Sequence, residues 1–581
     1  MATAPTRIPA DEVPDGVSRF SHNLTAMWRR LGLGEGQPRA WSIAAVLLSA
    51  CFALPAAAVL YMALGPGDEI WQHLSSTVLP RALTNTFMLL TGAAAVTLIV
   101  GTAAAWLVTM YRFPGRVIAD RLLVLPLAIP TYIVAYAYVE LLDYAGPVQS
   151  QLRSVFGFKG PADYYFPDIR SAGGSVFIFS AVLYPYVYLA ARASFVQQSV
   201  CVLEVARTLG RTALGAFWSV ALPMARPALA AGVALVAMEC LNDLGAVQHL
   251  GFETLTPSIY ATWLQRSNLP GAAQLSSVLL ILVVGLLVAE RVARGGAGTQ
   301  DTTGRQRSIP FETLSGWTGT AALALVIIPF IAGFAIPIGL LLKHAFAYFG
   351  EALTANFIAA ARNSLVLASL VSIVSIALAL FFGYAARIAK SPLTDASARL
   401  AATGYALPGT VLALGLMIPL AVLDNGIDAW MREHLGLSTG LLMSGTLLAV
   451  TIALVIRFLA VALGSIEAGL QRISPNLDAA ARTLGAGSFS ALMRVHMPML
   501  GPTLAAAALL VFVDAMKELP ATLLMRPFNF ETLATHVYGL AAVEQFEHAA
   551  LGAVMIVMIG LIPVLLLHRT IADGRMGRSG S

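Results

Sequence analysis

Twelve apolar stretches run along the chain, at 41–63, 85–109, 121–142, 174–196, 227–248 and 273–293, then at 317–342, 363–386, 400–423, 441–463, 502–524 and 549–568. Each can cross a bilayer as a helix, which takes about 20 mostly apolar residues. A segment of that length in lipid satisfies its backbone by closing its own helical hydrogen bonds. The expected fold class is all-α, a polytopic membrane protein of twelve transmembrane helices. Composition agrees: of 581 residues, 58% are hydrophobic and only 12% charged, and the mean hydropathy is +0.76. A soluble domain carries about 25% charged residues. A disordered chain, a disulfide scaffold and an ordinary soluble enzyme are excluded. Cys51, Cys201 and Cys240 are too scattered for a disulfide framework or a zinc site. They read as small buried hydrophobes.

The net charge of +5 is built from 32 arginines and only 4 lysines. In a membrane protein such an excess reports topology, so no nucleic-acid partner is expected. With both termini inside, the inside segments hold 26 Lys and Arg residues and the outside loops 9, Lys517 lying within a span. That asymmetry puts both termini in the cytoplasm. The first forty residues are polar, and no small-residue cleavage site follows Leu64. The first span is therefore expected to remain as an anchor.

The chain also repeats itself. Ala206-Arg207-Thr208-Leu209-Gly210 recurs as Ala481-Arg482-Thr483-Leu484-Gly485, and at the same offset Pro223, Pro227, Glu239 and Asp243 match Pro498, Pro502, Asp514 and Glu518. In a nearby register Asn85 matches Asn363, Pro130 matches Pro408, and Phe252-Glu253-Thr254-Leu255 matches Phe530-Glu531-Thr532-Leu533. Compositional bias repeats alanine or leucine, but not these rarer residues in order. Six spans separate equivalent points, so the halves run in the same direction as parallel repeats, an arrangement that suits a central path opened alternately to each side. The expected organisation is a cytoplasmic segment 1–40, a first half 41–293, a linker 294–316, a second half 317–568 and a tail 569–581.

The fourth and tenth spans are each followed by an unusual inside stretch. The first reads Glu204-Val205-Ala206-Arg207-Thr208-Leu209-Gly210 and then Leu222-Pro223; the second reads Ala479-Ala480-Ala481-Arg482-Thr483-Leu484-Gly485 and then Met497-Pro498. Each describes a helix, a glycine break and a second short helix, because Gly210 and Gly485 can take the left-handed conformation that ends a helix. The second helix carries an apolar stripe, Leu214, Phe217 and Trp218 in one copy and Phe489, Leu492 and Met493 in the other. A proline then starts a new direction. An apolar-faced turn in water calls for a partner groove.

This pattern resembles the "EAA" coupling loop of permease subunits of binding-protein-dependent ABC importers of type I, with two fused modules at about 85–290 and 363–568. The resemblance implies that the loops dock on two copies of a cytoplasmic ABC ATPase, through Glu204, Ala206, Arg207, Gly210, Phe217 and Pro223, and through Asp478, Ala481, Arg482, Gly485, Leu492 and Pro498. It implies a multi-pass protein of the bacterial inner membrane and a periplasmic substrate-binding protein. No cofactor is expected on this chain; ATP and Mg belong to the ATPase. One departure stands out: the leading glutamate is present as Glu204, but the second copy has Ala479, with Asp478 one place earlier. None of the four lysines follows a glycine, so the chain has no phosphate-binding P-loop of its own.

Charges inside spans are costly and usually functional. The fifth span holds Glu239 and Asp243; the eleventh holds Asp514, Lys517 and Glu518. Residues four apart share a helix face, so each half offers two carboxylates on one stripe along a translocation path. Four acids would suit a hard cation; alternatively, Lys517 neutralises one or two and the rest reach toward the outer interface. Lys517-Glu518-Leu519-Pro520-Ala521-Thr522, the run Arg526–Thr535, and Leu241-Asn242-Asp243-Leu244-Gly245-Ala246 look like the ferric-iron branch of these permeases, which implies Fe(III) as the transported substrate. Fused thiamine permeases are built alike, and for them the acids would face an organic cation. A proton-driven twelve-span transporter is a competitor of another class, but the loop 110–121 lacks the Gly-x-x-x-Asp-Arg signature expected there. Tyr132, Tyr136, Tyr138, Tyr184, Tyr186 and Tyr188 crowd the third and fourth spans, as packing or as oxygen ligands. The loop 143–173, with three aspartates and three tyrosines, reads as a docking surface for the binding protein.

Overall fold

The computed structural model describes residues 37–65, 68–197, 212–294 and 312–576. Among these residues the chain is helical, apart from one short parallel pairing of Tyr111–Arg112 with Glu312–Thr313. Among the described residues ten helices are long and apolar enough to cross a membrane: Arg39–Ala63, Ile70–Met110, Ala172–Val196, Phe217–Asn242 and Leu269–Arg294, then Gly316–Ala347, Ala355–Ala389, Gly409–Leu435, Leu447–Gln471 and Phe546–Leu566. Two sharply bent pairs, Arg116–Ala128 with Thr131–Phe156 and Ser488–Met499 with Gly501–Met516, bring the number to twelve when each counts as one span. All twelve apolar stretches of the sequence are represented. The ninth is displaced, from 400–423 to Gly409–Leu435, and the cause is Pro408. It sits at the start of that helix with ψ near 142°, and a proline disfavours helical geometry in the residue before it. The preceding Pro392–Ala402 becomes a separate helix, capped by the Ser391 hydroxyl.

The described residues gather into two compact units. One draws on the described residues within 37–54, 372–405 and 455–511, the other on those within 55–371, 406–454 and 512–576. In the smaller unit, Trp41 stacks on Phe381 at 5.3 Å and meets Tyr384 edge-on at 5.5 Å. The Tyr384 hydroxyl donates to the Ser488 carbonyl at 2.9 Å, and buried Thr394 and Ser42 pair at 3.0 Å.

In the larger unit, Val59, Leu74, Leu241, Leu255 and Leu279 are fully or almost fully buried together. Lipid offers no hydrophobic drive between helices, so close packing at small residues takes its place. Gly101 shows this: a Cβ there would lie 2.9 Å from the Tyr188 amide nitrogen and from Val187 Cβ.

The duplication is visible bond by bond in this unit. Asn85 donates its side-chain amide to the Glu253 carbonyl at 2.9 Å, and Asn363 donates to the Glu531 carbonyl at 3.0 Å. One residue on, the Leu255 amide donates to the Thr86 hydroxyl and the Leu533 amide to the Ser364 hydroxyl. Pro130 and Pro408 each sit immediately before a helix. The wide-turn helical segment Phe217–Ala221 has its counterpart, Leu492–His496, in the smaller unit. Each asparagine ties the start of a long helix to the loop before a short one. Asn363→Ala, at the more buried site, is expected to destabilise the protein by about 1–2 kcal/mol, and Asn85→Ala by less. Thermal unfolding in detergent checks the order; a larger effect at Asn85 would contradict it.

Candidate functional site

The second elbow is fully described. Its first helix, Asn476–Thr483, ends at Leu484. Gly485 follows with φ of 79°. Its amide donates to the Arg482 carbonyl at 3.0 Å, and the Ala486 amide donates to the Ala481 carbonyl at 3.0 Å. This pair of reversed bonds is the Schellman ending, which needs a left-handed residue where glycine stands. The short helix Ser488–Ala491 and the wide turn Leu492–His496 come next. Around the glycine Leu484 is 87% exposed and Phe489 63% exposed, with Met493 and Met497 also outward. Arg482 and Pro498 are exposed. Asp478, Ala481 and Leu492 are buried, so the stripe expected to face a partner is split: Phe489 and Met493 point out, Leu492 in.

After Pro498 the chain turns, the helix pair Ser488–Met499 and Gly501–Met516 being bent by 80°. The first copy differs. Phe217–Asn242 runs on as one span, so Pro223 starts no new direction there. The break falls beside Gly501, where the first copy has Arg226, and glycine resists bending less. Glu204, Ala206, Arg207 and Gly210 lie outside the described residues. Phe217 is half-buried against Trp106 at 4.9 Å, leaving Trp218 63% exposed; Pro223 is half-buried.

Sequence reading missed two residues of the second elbow. The Arg387 guanidinium approaches the Asp478 carboxylate at 2.8 Å, and the Nε2 atom of fully buried His496 lies 2.6 Å from the same carboxylate. The available signal was an arginine in the last turn of an apolar helix, a position otherwise read as topology. In the first half a different buried pair, Arg192 with Asp120 at 2.8 Å, joins the end of the fourth span to the helix Arg116–Leu122.

The intramembrane acids do not form the expected stripes. The fifth-span helix stops at Asn242 and the eleventh-span helix at Met516, so Asp243 and Glu518 leave the helix faces that carry Glu239 and Asp514. Each becomes a cap for a following short helix. Asp243 accepts from the Ala246 amide at 2.7 Å, ahead of Gly245–His249. Glu518 is buried and accepts from the Ala521 amide at 2.9 Å, the Thr522 amide at 3.0 Å and the Thr522 hydroxyl at 2.7 Å. A proline after Leu519 and a glycine after Leu244 explain the stops. Lys517 pairs with Asp514 at 2.9 Å.

The two breaks meet. A Cβ on Gly245 would lie 2.7 Å from the Leu519 side chain and 2.9 Å from Tyr132 Cβ. Asn242 Oδ1 accepts from the Gly409 amide at 2.9 Å, and the Tyr538 hydroxyl donates to Gln248 at 3.0 Å. Tyr132 and Tyr136 are buried beside them, their hydroxyls lacking a partner among the described residues. Among those residues no cluster of three His, Cys, Asp or Glu side chains is placed to hold a metal. Beyond the eleventh span, Arg526 and His536 both lie 3.4 Å from Glu531. The His536 hydrogen bond, aided by Arg526, holds the Glu531 carboxyl below its ordinary range against the opposing effect of burial. In the loop 143–173, Arg153 stacks over Tyr144 at 4.1 Å, Arg170 pairs with Asp143 at 3.4 Å, and Tyr165 is exposed.

Residues 97–296 match the family described as binding-protein-dependent transport system inner membrane component. An Fe(3+)-transport system permease protein (FbpB 2) of Haemophilus influenzae is 26% identical over 494 residues, 84% of this chain and 89% of that protein. A sulfate transport system permease protein (CysT) of Salmonella typhimurium is 34% identical over 195 residues, covering 32% of this chain and 66% of that protein. A putative 2-aminoethylphosphonate transport system permease protein (PhnU) of Salmonella choleraesuis is 28% identical over 239 residues, 40% of this chain and 82% of that protein. The internal repeat explains why one relative spans nearly the whole chain while the other two match less than half. Residues 97–296 belong to the binding-protein-dependent transport inner membrane components, and the relative matched over 84% of the chain supports a fused two-module ABC importer permease.

Proposed function

We propose that this permease forms the path by which ferric iron, delivered by a periplasmic binding protein, crosses the bacterial inner membrane. Two copies of a separate cytoplasmic ATPase grip the elbows and hydrolyse ATP, and both chain termini lie in the cytoplasm. The observation that carries the coupling role is the exposed apolar surface around left-handed Gly485, with Leu484 and Phe489 outward. An apolar patch exposed among polar residues marks a site of interaction with another protein. Iron is favoured because the relative matching both modules, at 89% of its own length, is a permease for Fe(3+).

An oxyanion is the second reading. It draws on the sulfate relative, and on the finding that Asp243 and Glu518 serve as helix caps and Asp514 pairs with Lys517. The acids therefore do not require a cationic substrate. Liposomes holding the chain, its ATPase and the binding protein separate these readings. Labelled Fe(III), thiamine and sulfate are offered with and without ATP. ATP-dependent uptake of Fe(III) alone is expected. Uptake of sulfate or thiamine instead would overturn the iron assignment, and uptake driven by a proton gradient without ATP would overturn the coupling role.

A further inference from the structure

The two elbows are not chemically equivalent. On the helix Asn476–Thr483, Asp478 is buried and Ala479 exposed. Consecutive residues lie about 100° apart around a helix, so moving an acid by one place turns it from the outer face to the inner. At the 275-residue offset that aligns the two motifs, Asp478, Ala479 and His496 correspond to Leu203, Glu204 and Ala221, and in the register that aligns Asn85 with Asn363 and Pro130 with Pro408, Arg387 corresponds to Thr109. In sequence the first copy therefore has an apolar residue in place of Asp478, carries its acid one place later, and has neither the arginine nor the histidine.

We propose that Asp478 is a positioning residue: it pins the second elbow to its own membrane helices, whereas the first elbow offers its carboxylate to the ATPase. Four segments converge on Asp478. Arg387, in the last turn of Ala355–Ala389, reaches it through Nε at 2.9 Å and Nη2 at 2.8 Å. The same guanidinium donates to the carbonyls of Leu470, Ile473 and Ser474, where Leu447–Gln471 ends. His496 brings in the second short segment of the elbow. Both nitrogens approach the one oxygen Oδ2 while His496 meets Oδ1, so the planar guanidinium is held between the carboxylate and the helix-end carbonyls at once. A buried ion pair is poor at adding stability and better suited to enforcing one arrangement. A lever fixed at its base passes displacement on, and a loose one absorbs it.

This inference rests on the coupling role proposed above. The test uses the complete importer in liposomes, measuring substrate moved per ATP hydrolysed and the ATPase retained on purification. Asp478→Asn, of nearly the same shape, is expected to lower transport per ATP roughly tenfold while ATPase retention stays normal. Arg387→Lys keeps the charge but loses the planar guanidinium, and should shift the ratio in the same direction by less. Glu204→Ala should act on the other quantity and reduce ATPase retention. An unchanged transport-to-ATP ratio in both Asp478→Asn and Arg387→Lys would overturn the pin. So would loss of the ATPase from Asp478→Asn to the same degree as from Glu204→Ala, because Asp478 would then be a partner contact. An unmodified importer that neither retains the ATPase nor responds to ATP would instead refute the coupling role itself.

Discussion

Gly485→Val is expected to abolish most transport, by tenfold or more, while the protein still inserts and purifies. The reason is confined to the backbone. Gly485 sits at φ of 79°, and a Cβ built there meets nothing within 4 Å. No clash with a neighbour is at issue. A side chain in the left-handed region costs about 1–2 kcal/mol, and a β-branched one more. Losing this conformation removes the two reversed bonds that end Asn476–Thr483 and re-aims the second short helix. The substitution lies on an exposed turn, so the membrane core has no cause to unfold. Gly485→Asn tolerates the left-handed region and should retain most activity. Transport by importers carrying each variant, normalised to the chain present, checks this; equal activity for Val and Gly would remove the elbow from the mechanism.

Glu518→Ala carries the second large effect, and here stability moves first. The substitution orphans the Ala521 and Thr522 amides and the Thr522 hydroxyl. Membrane interiors supply no water to replace the lost acceptor, and each unsatisfied group costs about 1–3 kcal/mol. A net destabilisation of about 3–5 kcal/mol is expected, the range found when one partner of a buried charged contact is removed. Glu518→Gln keeps an acceptor oxygen and should cost about half as much. If Glu518 instead acted only on the substrate, both variants would unfold at the same temperature as the unmodified protein while uptake fell. Thermal unfolding in detergent beside Fe(III) uptake distinguishes the two.

Much of this architecture was legible because lipid imposes a strong rule. Long apolar runs could only be helices, and among the described residues all twelve fall on helical segments, two of them as sharply bent pairs. The repeat was legible too: Asn85 and Asn363, picked out as matching residues, prove to make the same hydrogen bond. The left-handed Gly485 followed from helix-ending chemistry. What could not be read were places where a helix stops. Periodicity placed Asp243 and Glu518 on the faces of Glu239 and Asp514, but a stop only one or two residues earlier turned both carboxylates into caps. Pro520 was in view as a signal, yet prolines such as Pro55 and Pro185 lie inside other helices of this protein without ending them. Long-range ionic partners were equally hidden. Arg387 and Asp478 are 91 residues apart, and only folding shows that the acid one place before Ala479 faces inward.

The account stands or falls on where the second elbow faces and what it touches. Phe489 is exposed and close to Gly485, so a Phe489→Cys chain, otherwise free of reactive cysteine, is suited to crosslinking in membranes that also hold the ATPase. The expected result is an adduct with the ATPase, formed from the cytoplasmic side, with a yield that changes when ATP is added. Labelling of this cysteine only from the opposite side of the membrane, or no adduct with abundant ATPase present, would contradict the account.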